Sequence, residues 1–193
     1  MAQGLVEKKY CVLVIGGSAG SLEGLLQLLP ALQNEKGLAI ILVLHRRTGE
    51  SLLSDLLREK TTWPVKEAEE KEAIVAGTIY IAPADYHLLI EQDKTFSLDY
   101  SEKVHYSRPA IDVTFEAVAE TYGSAALALL LSGANTDGTQ GLQKIKEAGG
   151  YVMVQDPAEA PVDYMPKSAI ANVRVDKVVS VGDVPALVHQ LNA

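Results

Sequence analysis

The chain has 193 residues, of which 48% are hydrophobic and 22% charged, and its formal net charge is −8. This length favours one domain with a substantial core. The negative charge argues against binding to nucleic acid or anionic lipid, and the single cysteine excludes an internal disulfide and a multi-cysteine zinc site. We expect a cytoplasmic protein without membrane insertion, because no apolar run approaches a bilayer span and residues 1–9 lack a secretory-signal core.

The first part of the chain alternates strand and helix patterns after a polar lead-in at residues 1–9. Strands are predicted at 10–15, 38–44 and 78–82, and helices at 21–32 and 51–59, with Ser51 as N-cap of the second helix. Cys11 would then be a buried thiol in the first strand. Residues 62–65 form a short strand or a loop, and the charged stretch 66–71 indicates a solvated face.

The second part begins with a β-hairpin, predicted at 87–91 and 95–100 from its alternation of apolar and polar residues. The elements that follow are helix 111–122, strand 125–131, helix 139–148, strand 151–154, helix 166–171, extended pieces within 173–181 and helix 184–191. This order predicts an α/β fold: a doubly wound, mostly parallel sheet with helices on both faces and an inserted antiparallel hairpin, in one domain at 10–193.

A Gly-x-Ser-x-Gly pattern centred on Ser18 lies between the first strand and the first helix. Glycines on both sides allow a sharp turn, which would hold the serine hydroxyl at the sheet edge beside a helix N-terminus. Free N–H groups there would stabilise an oxyanion. Two other readings stay open at this point, namely a capping serine in a tight turn and a phosphate-binding turn.

Three polar groups follow predicted parallel strands at their carboxyl ends, where sites form in such sheets. Ser18, His45 and Asp137 supply a nucleophile, a base and an orienting carboxylate, the parts of a hydrolytic triad. The alternatives are that His45 is a capping or surface residue, and that Asp137 caps the helix that follows it.

The remaining histidines are competing bases: His87 at the start of the hairpin, His105 before a charged connector, and His189 on a terminal, surface helix. No histidine–carboxylate cluster has metal-ligand spacing in the sequence, so we expect no metal. A dinucleotide site is disfavoured, because the fingerprint needs glycine in place of Ser18 and an acid after the second strand.

Several motifs in order make the chain resemble the catalytic domain of the chemotaxis protein-glutamate methylesterases, the CheB family. They are Val14-Ile-Gly-Gly-Ser-Ala-Gly20, the strand ending at His45, Tyr80-Ile-Ala-Pro-Ala-Asp-Tyr-His87, Ser107-Arg-Pro-Ala-Ile-Asp-Val113, Leu131-Ser-Gly-Ala-Asn-Thr-Asp-Gly138, Val154-Gln-Asp-Pro and Met165-Pro-Lys-Ser-Ala-Ile170.

The resemblance implies Ser18 as nucleophile, His45 as general base and acid, and Asp137 as its carboxylate, with oxyanion and substrate contacts around Ala19, Ala134 and Asn135. The implied substrates are glutamate methyl esters on cytoplasmic helices of methyl-accepting chemotaxis receptors, with glutamine deamidation as a second activity. The resemblance implies no cofactor. A separate receiver or signalling protein is a further implied partner.

The chain departs from the family pattern at several positions. Leu44-His-Arg-Arg47 replaces the usual Gln-His-Met-Pro, so Arg46 and Arg47 are expected to affect docking on an acidic helix. Ala19 replaces a common threonine, and Ala134 stands where a bulkier methionine is usual. The regulatory receiver domain is not expected here. The departures motivate an alternative, a non-catalytic binding module for receptor or signalling helices. A nucleotide-binding protein is a third hypothesis.

Overall fold

A computed structural model describes residues 10–32, 35, 37–46 and 52–193 of the chain. The strands are β1 (Val12–Gly17), β2 (Ala39–Leu44), β3 (Val65–Glu67), β4 (Ile79–Ile81), β5 (His87–Ile90), β6 (Phe96–Asp99), β7 (Ala126–Leu130), β8 (Tyr151–Gln155) and β9 (Lys177–Val179). The helices are α1 (Ser21–Ala31), α2 (Leu52–Arg58), α3 (Ile111–Tyr122), α4 (Thr139–Glu147), α5 (Tyr164–Asn172) and α6 (Val184–Asn192).

Seven strands form one sheet in the order β3-β4-β2-β1-β7-β8-β9, and each neighbouring pair is parallel. Strands β5 and β6 form a separate antiparallel hairpin. The predicted fold class is therefore confirmed: a mostly parallel, doubly wound sheet with an inserted hairpin.

The central strands are apolar along their length because both faces of the sheet are covered. In β1, Val12 and Val14 point into a core shared with α3, α4, α5 and the hairpin. Leu13 and Ile15 point into a second core with α1, α2 and α6. The alternation of side chains along a strand thus splits one apolar run between two layers.

The site lies where the three central strands end. Strand β1 lies between β2 and β7, so the segments that follow these three strands emerge side by side. Backbone hydrogen bonds continue past the strands: Ser18 N–H donates to the Ser132 carbonyl over 2.9 Å, and His45 N–H donates to the Gly17 carbonyl over 3.2 Å. The sheet ladder therefore sets the separation of these segments.

Several local predictions were wrong or fall outside the described residues. Cys11 immediately precedes β1 and is exposed, although its backbone N–H and carbonyl already bond to Ala125 and Ala39. The charged stretch 66–71 is largely exposed, as predicted, and its first two residues belong to the edge strand β3. Helix α5 begins at Tyr164, two residues earlier than predicted. Residues 1–9, Arg47 and Ser51 lie outside the described residues. Within the described ranges, every helix is too short or too polar to span a bilayer.

Candidate active site

The turn after β1 presents Ser18 beside the start of α1. Its left-handed backbone falls on Gly20, with φ 78°, where a side chain would be strained. A Cβ on Gly17 would lie 2.8 Å from Ser21 Oγ, so that position also requires glycine. Ser21 closes the turn, because its hydroxyl donates to the Ser18 carbonyl over 2.7 Å. These contacts leave the Ser18 hydroxyl half-buried at the sheet edge.

His45 bridges the serine and the aspartate. Its Nδ1 lies 3.1 Å from Ser18 Oγ and its Nε2 lies 2.7 Å from Asp137 Oδ2. A carboxylate only accepts, so Nε2 carries the ring proton and Nδ1 has a lone pair facing the hydroxyl. The structure thus brings together the three residues predicted as a triad, with the two ring nitrogens exchanged relative to the Ser-His-Asp template of chymotrypsin.

Asp137 is fully buried, and its carboxylate accepts four hydrogen bonds. Besides His45, the donors are the N–H groups of Ile111 at 2.7 Å, Asp112 at 2.8 Å and Gly138 at 2.9 Å. Burial alone would raise the pKa of Asp137, but the hydrogen bonds from His45, Asp112 and Ile111 outweigh it, so the pKa lies below its ordinary value. The carboxylate is therefore charged beside His45.

Asp137 caps the start of a helix, but this helix is α3 and not the one that follows Asp137 in the sequence. Asp137 receives the first two N–H groups of α3, a helix that precedes it by more than a dozen residues. In return, Asp112 of α3 accepts the N–H of Gly141 in the first turn of α4 over 2.7 Å. The carboxylate of Asp137, just before α4, thus lies at the N-terminus of α3, and that of Asp112 in α3 lies at the N-terminus of α4. The helix dipole favours negative charge at both places.

The positions predicted for the oxyanion lie on the segments around Ser18. Ala19 follows the serine and is exposed, and Ala134 is exposed on the loop after β7. A Cβ on Gly133 would lie 3.1 Å from Ser18 Cβ, so this loop passes directly beside the serine. Asn135 accepts the Asp137 N–H over 3.1 Å, which shapes the loop. The oxyanion role of these residues stays a prediction.

The competing histidines are each held elsewhere. His87 is buried, donating from Nε2 to the Glu102 carbonyl at 2.8 Å and accepting the Ala110 N–H at Nδ1. His189 lies on α6 and pairs with Glu35 at 2.8 Å. His105 pairs with Asp112 at 2.9 Å. Of the four histidines, His45 is therefore the one in contact with Ser18.

Arg46, which was predicted to affect docking, and Arg108 are both engaged within the protein. Arg46 donates to the Ala82 carbonyl at 3.0 Å and pairs with Glu67, with its side chain only 5% exposed. Arg108 pairs with Asp85 at 2.8 Å and lies over the Tyr100 ring at 3.8 Å. Both side chains line the site and are held in place by these contacts within the protein.

One group resembles a metal-ligand set: ligand atoms of His105, Asp112 and Asp137 lie within 4.8 Å of one another. The sequence spacing did not predict this grouping. Each carboxylate oxygen of the two aspartates already accepts a hydrogen bond from a histidine or a backbone N–H. An ion here would have to displace these donors, so the residues do not fit a metal site.

Two cavities meet at His45. One has a volume of about 610 Å³ and polar walls that include Arg46, Lys103, Tyr106 and Arg108. The other, of about 410 Å³, is lined by Ser18 and by the leucines Leu22, Leu44, Leu52, Leu53 and Leu56. The imidazole thus marks the border between a polar pocket and an apolar groove.

The groups that support the loops of the site through hydrogen bonds were not identified from the sequence. Ser132 is fully buried, and its hydroxyl donates to the Ala19 carbonyl at 2.7 Å while accepting the Val162 N–H at 2.9 Å. The start of α3 supplies the two N–H donors to Asp137. The sequence Pro109-Ala-Ile-Asp112 is typical of a helix start. It does not identify the carboxylate to which the first N–H groups of this helix donate.

The sequence matches the family model described as CheB methylesterase over residues 13–188. A relative in Leptospira interrogans, named "Putative protein-glutamate methylesterase/protein-glutamine glutaminase", is 45% identical over 95% of each sequence. A Thermotoga maritima protein-glutamate methylesterase/protein-glutamine glutaminase is 35% identical over 93% of this chain and 54% of its own length, so the chain spans about half of that relative. The crystal structure of the Thermotoga maritima CheB methylesterase catalytic domain matches with a TM-score of 0.90 and 35% identity, over 95% of this chain and 99% of that one.

The charge on Asp137 predicts a specific pH dependence of stability. Its folded pKa lies below the unfolded value of about 3.9, so the unfolded chain takes up this proton first. Asp137→Asn should lower the free energy of unfolding by about 3 kcal/mol at pH 7, because a buried charged network loses one member. The difference from wild type should shrink as pH falls below about 4 and through the lower folded pKa.

Urea titrations between pH 7 and pH 2.5 measure this difference. Asp163→Asn is the control, because its side chain is 45% exposed and pairs with Lys167; its effect should stay within about 0.5 kcal/mol. If the difference in unfolding free energy between wild type and Asp137→Asn stays constant from pH 7 to pH 2.5, the assignment of a charge to Asp137 is contradicted.

Proposed function

This chain belongs to the CheB methylesterase family, and we propose that it hydrolyses methyl esters of glutamate side chains, releasing glutamate and methanol. The observation that carries the proposal is the hydrogen-bonded chain from Asp137 through His45 to Ser18, at 2.7 and 3.1 Å. We include glutamine deamidation as a second reaction of the same site, since both relatives described above carry that name too.

In the proposed acylation step, the Ser18 oxygen attacks the ester carbonyl carbon while its proton moves to Nδ1 of His45. The imidazolium that forms is stabilised by the charged Asp137, which already accepts the proton on Nε2. The carbonyl oxygen becomes an oxyanion facing the backbone around Ala19 and Ala134. The tetrahedral intermediate collapses when His45 returns its proton to the departing methoxide, which leaves as methanol.

The deacylation step reverses the roles with water. His45 removes a proton from water, the hydroxide attacks the acyl-serine, and collapse returns the proton to the Ser18 oxygen, releasing the glutamate. With a glutamine side chain the same acyl-serine forms, and the leaving group is ammonia. The amide nitrogen is a poor leaving group, so protonation by His45 matters more for this second reaction.

The hydrolase proposal predicts that Ser18→Ala lowers methanol release from a methylated receptor to the uncatalysed background. His45→Gln should cause a loss of similar size, and the double variant should be no worse than either single one, because the two residues act as one unit. Methanol release and labelling of Ser18 by a fluorophosphonate are the measurements.

Ser124→Ala is the matched control, since Ser124 is exposed just before β7, at the opposite end of the sheet. Its activity should equal that of wild type. Methanol release that survives Ser18→Ala would overturn the proposal, and a wild-type protein that binds the receptor without labelling would favour the non-catalytic binding module.

We further propose that the partner is a helix of a methyl-accepting chemotaxis receptor, lying across both cavities. Leu52 and Leu22 are 75% and 39% exposed in and around the apolar groove, and such exposure is typical of contact surfaces. On the other side of His45, Lys103 and the exposed Tyr106 face the polar pocket. An amphipathic helix with acids beside the ester would cover the leucines and approach the cation.

This docking mode predicts that Leu52→Glu raises KM for the methylated receptor by roughly tenfold, because about 1–2 kcal/mol of apolar contact is lost. The value of kcat should change by less than about twofold, since the substitution acts on binding in both ground and transition state. Steady-state methanol release measures both constants. Val75→Glu is the control, because Val75 is 56% exposed in the segment before β4, away from the site. An unchanged KM in Leu52→Glu would rule out the groove as the docking surface.

A further inference from the structure

Ser132 is the buried residue that connects the segments around the proposed nucleophile. It lies two residues after β7 and is fully buried. Its backbone N–H donates to Gln155 Oε1 over 2.9 Å, and its carbonyl accepts the Ser18 N–H, also over 2.9 Å. The main chain of Ser132 is therefore fixed beside the turn that carries Ser18.

The Ser132 hydroxyl links two further segments to this position. Its oxygen accepts the Val162 N–H over 2.9 Å. Its single proton can go to the Ala19 carbonyl at 2.7 Å or to the Val162 carbonyl at 3.0 Å. Since the Val162 carbonyl already accepts the Gly133 N–H over 3.0 Å, the proton belongs to the shorter bond with Ala19. One hydroxyl thus holds both the turn after β1 and the segment around Val162.

The Ala19 N–H points away from a carbonyl that is itself held in place. A trans peptide is planar, so its C=O and N–H groups point in opposite directions. The plane that contains the Ala19 N–H also contains the Ser18 carbonyl, which accepts the Ser21 hydroxyl over 2.7 Å and the Ser21 N–H over 3.1 Å. Ser132 holds the next carbonyl, that of Ala19. Within the part of the chain that the structure describes, the Ala19 N–H has no acceptor.

The Ala134 N–H is held by the same kind of contact. The Gly133 carbonyl, which shares its peptide plane, accepts the Met165 N–H over 3.0 Å, and the Gly133 N–H donates to the Val162 carbonyl. Among the described residues, no group accepts the Ala134 N–H either. Both N–H groups proposed to face the oxyanion are therefore directed by bonds on the far side of their own peptides, and Val162 connects the second of them to Ser132.

We propose that Ser132 is a positioning residue for the reaction: its hydroxyl fixes the separation of the Ala19 and Ala134 N–H groups, so that both donate to one developing oxyanion. Two donors stabilise the same oxygen well only when their geometry is set before the reaction. Movement of either segment would break a bond to the Ser132 hydroxyl or to its partner Val162. The role assigned to Ser132 rests on the proposed function, because the oxyanion belongs to that reaction.

A pair of substitutions of equal shape isolates the hydroxyl. Ser132→Thr keeps the hydroxyl and adds a methyl group, whereas Ser132→Val adds the same methyl and replaces the hydroxyl by a second one. Any cost of fitting the extra methyl is common to both variants. We expect kcat for methanol release to be roughly 10- to 100-fold lower in Ser132→Val than in Ser132→Thr, because donors that act in the transition state are displaced. The two KM values should agree within about twofold.

Two further variants separate this effect from a loss of stability. Ser132→Ala removes the hydroxyl without adding volume, and its kcat should fall below that of wild type by a similar factor. Thr121→Val is the matched control, because it removes a hydroxyl that donates to the Ile90 carbonyl over 3.2 Å, at the end of α3 remote from Asp137. Thr121→Val should lower the unfolding temperature and leave kcat unchanged.

A transition-state analogue measures the oxyanion contacts without turnover. When a trifluoromethyl ketone replaces the ester in a receptor peptide, the Ser18 oxygen adds to the ketone carbon, the Ser18 proton moves to His45, and the ketone oxygen becomes the oxyanion of a hemiketal. The inhibition constant should be higher in Ser132→Val than in Ser132→Thr by the same factor by which kcat is lower. The Kd of the unmethylated receptor peptide, a ground-state ligand, should differ by less than about twofold.

The outcomes distinguish the role of Ser132 from the proposed function. An equal inhibition constant in Ser132→Thr and Ser132→Val, or a change confined to KM, overturns the role of Ser132 alone. A wild type that forms no hemiketal and releases no methanol overturns the proposed function and the role of Ser132 with it.

Discussion

The site depends on one interaction, the seating of the Asp137 carboxylate on the N-terminus of α3. The first two N–H groups of the helix and that of Gly138 converge on a side chain with no exposed surface. A buried charge is tolerable only with such partners, and the helix dipole adds to their effect. One remaining lone pair then points at His45, which sets the imidazole's orientation and proton position.

This seating explains why the imidazole is turned. Because Asp137 receives Nε2–H, the lone pair on Nδ1 must face Ser18. The proposed chemistry is that of the template, since Nδ1 is placed to accept the serine proton while Nε2–H is held by a carboxylate. The serine, histidine and aspartate follow β1, β2 and β7. Because these three strands lie side by side, the three residues meet at one edge of the sheet.

The layers and the site edge could be predicted from sequence because they depend on local patterns. The apolar run of β1 implied burial on both faces, and the polar groups after three such strands implied convergence. The supports of the site depend on contacts between distant segments, so no local pattern reveals them. Asp137 had a plausible local role as a cap for α4, yet two of its four donors are N–H groups of α3, 25 and 26 residues away. The apolar run also included Cys11, which is exposed at the beginning of β1 although the preceding Tyr10 is buried, so the run did not decide the burial of its end residues.

The position of the ring proton on His45 can be measured, and it decides whether the imidazole is oriented as described. In protein with ¹⁵N-labelled histidine, at a pH where His45 is neutral, the His45→Gln variant identifies its resonances. We predict a protonated Nε2 with a strongly hydrogen-bonded, downfield proton, and an unprotonated Nδ1 facing Ser18. A proton found on Nδ1 instead would leave the Nε2 lone pair facing the Asp137 carboxylate and would leave no acceptor for the Ser18 proton, which contradicts the arrangement from which the proposed mechanism follows.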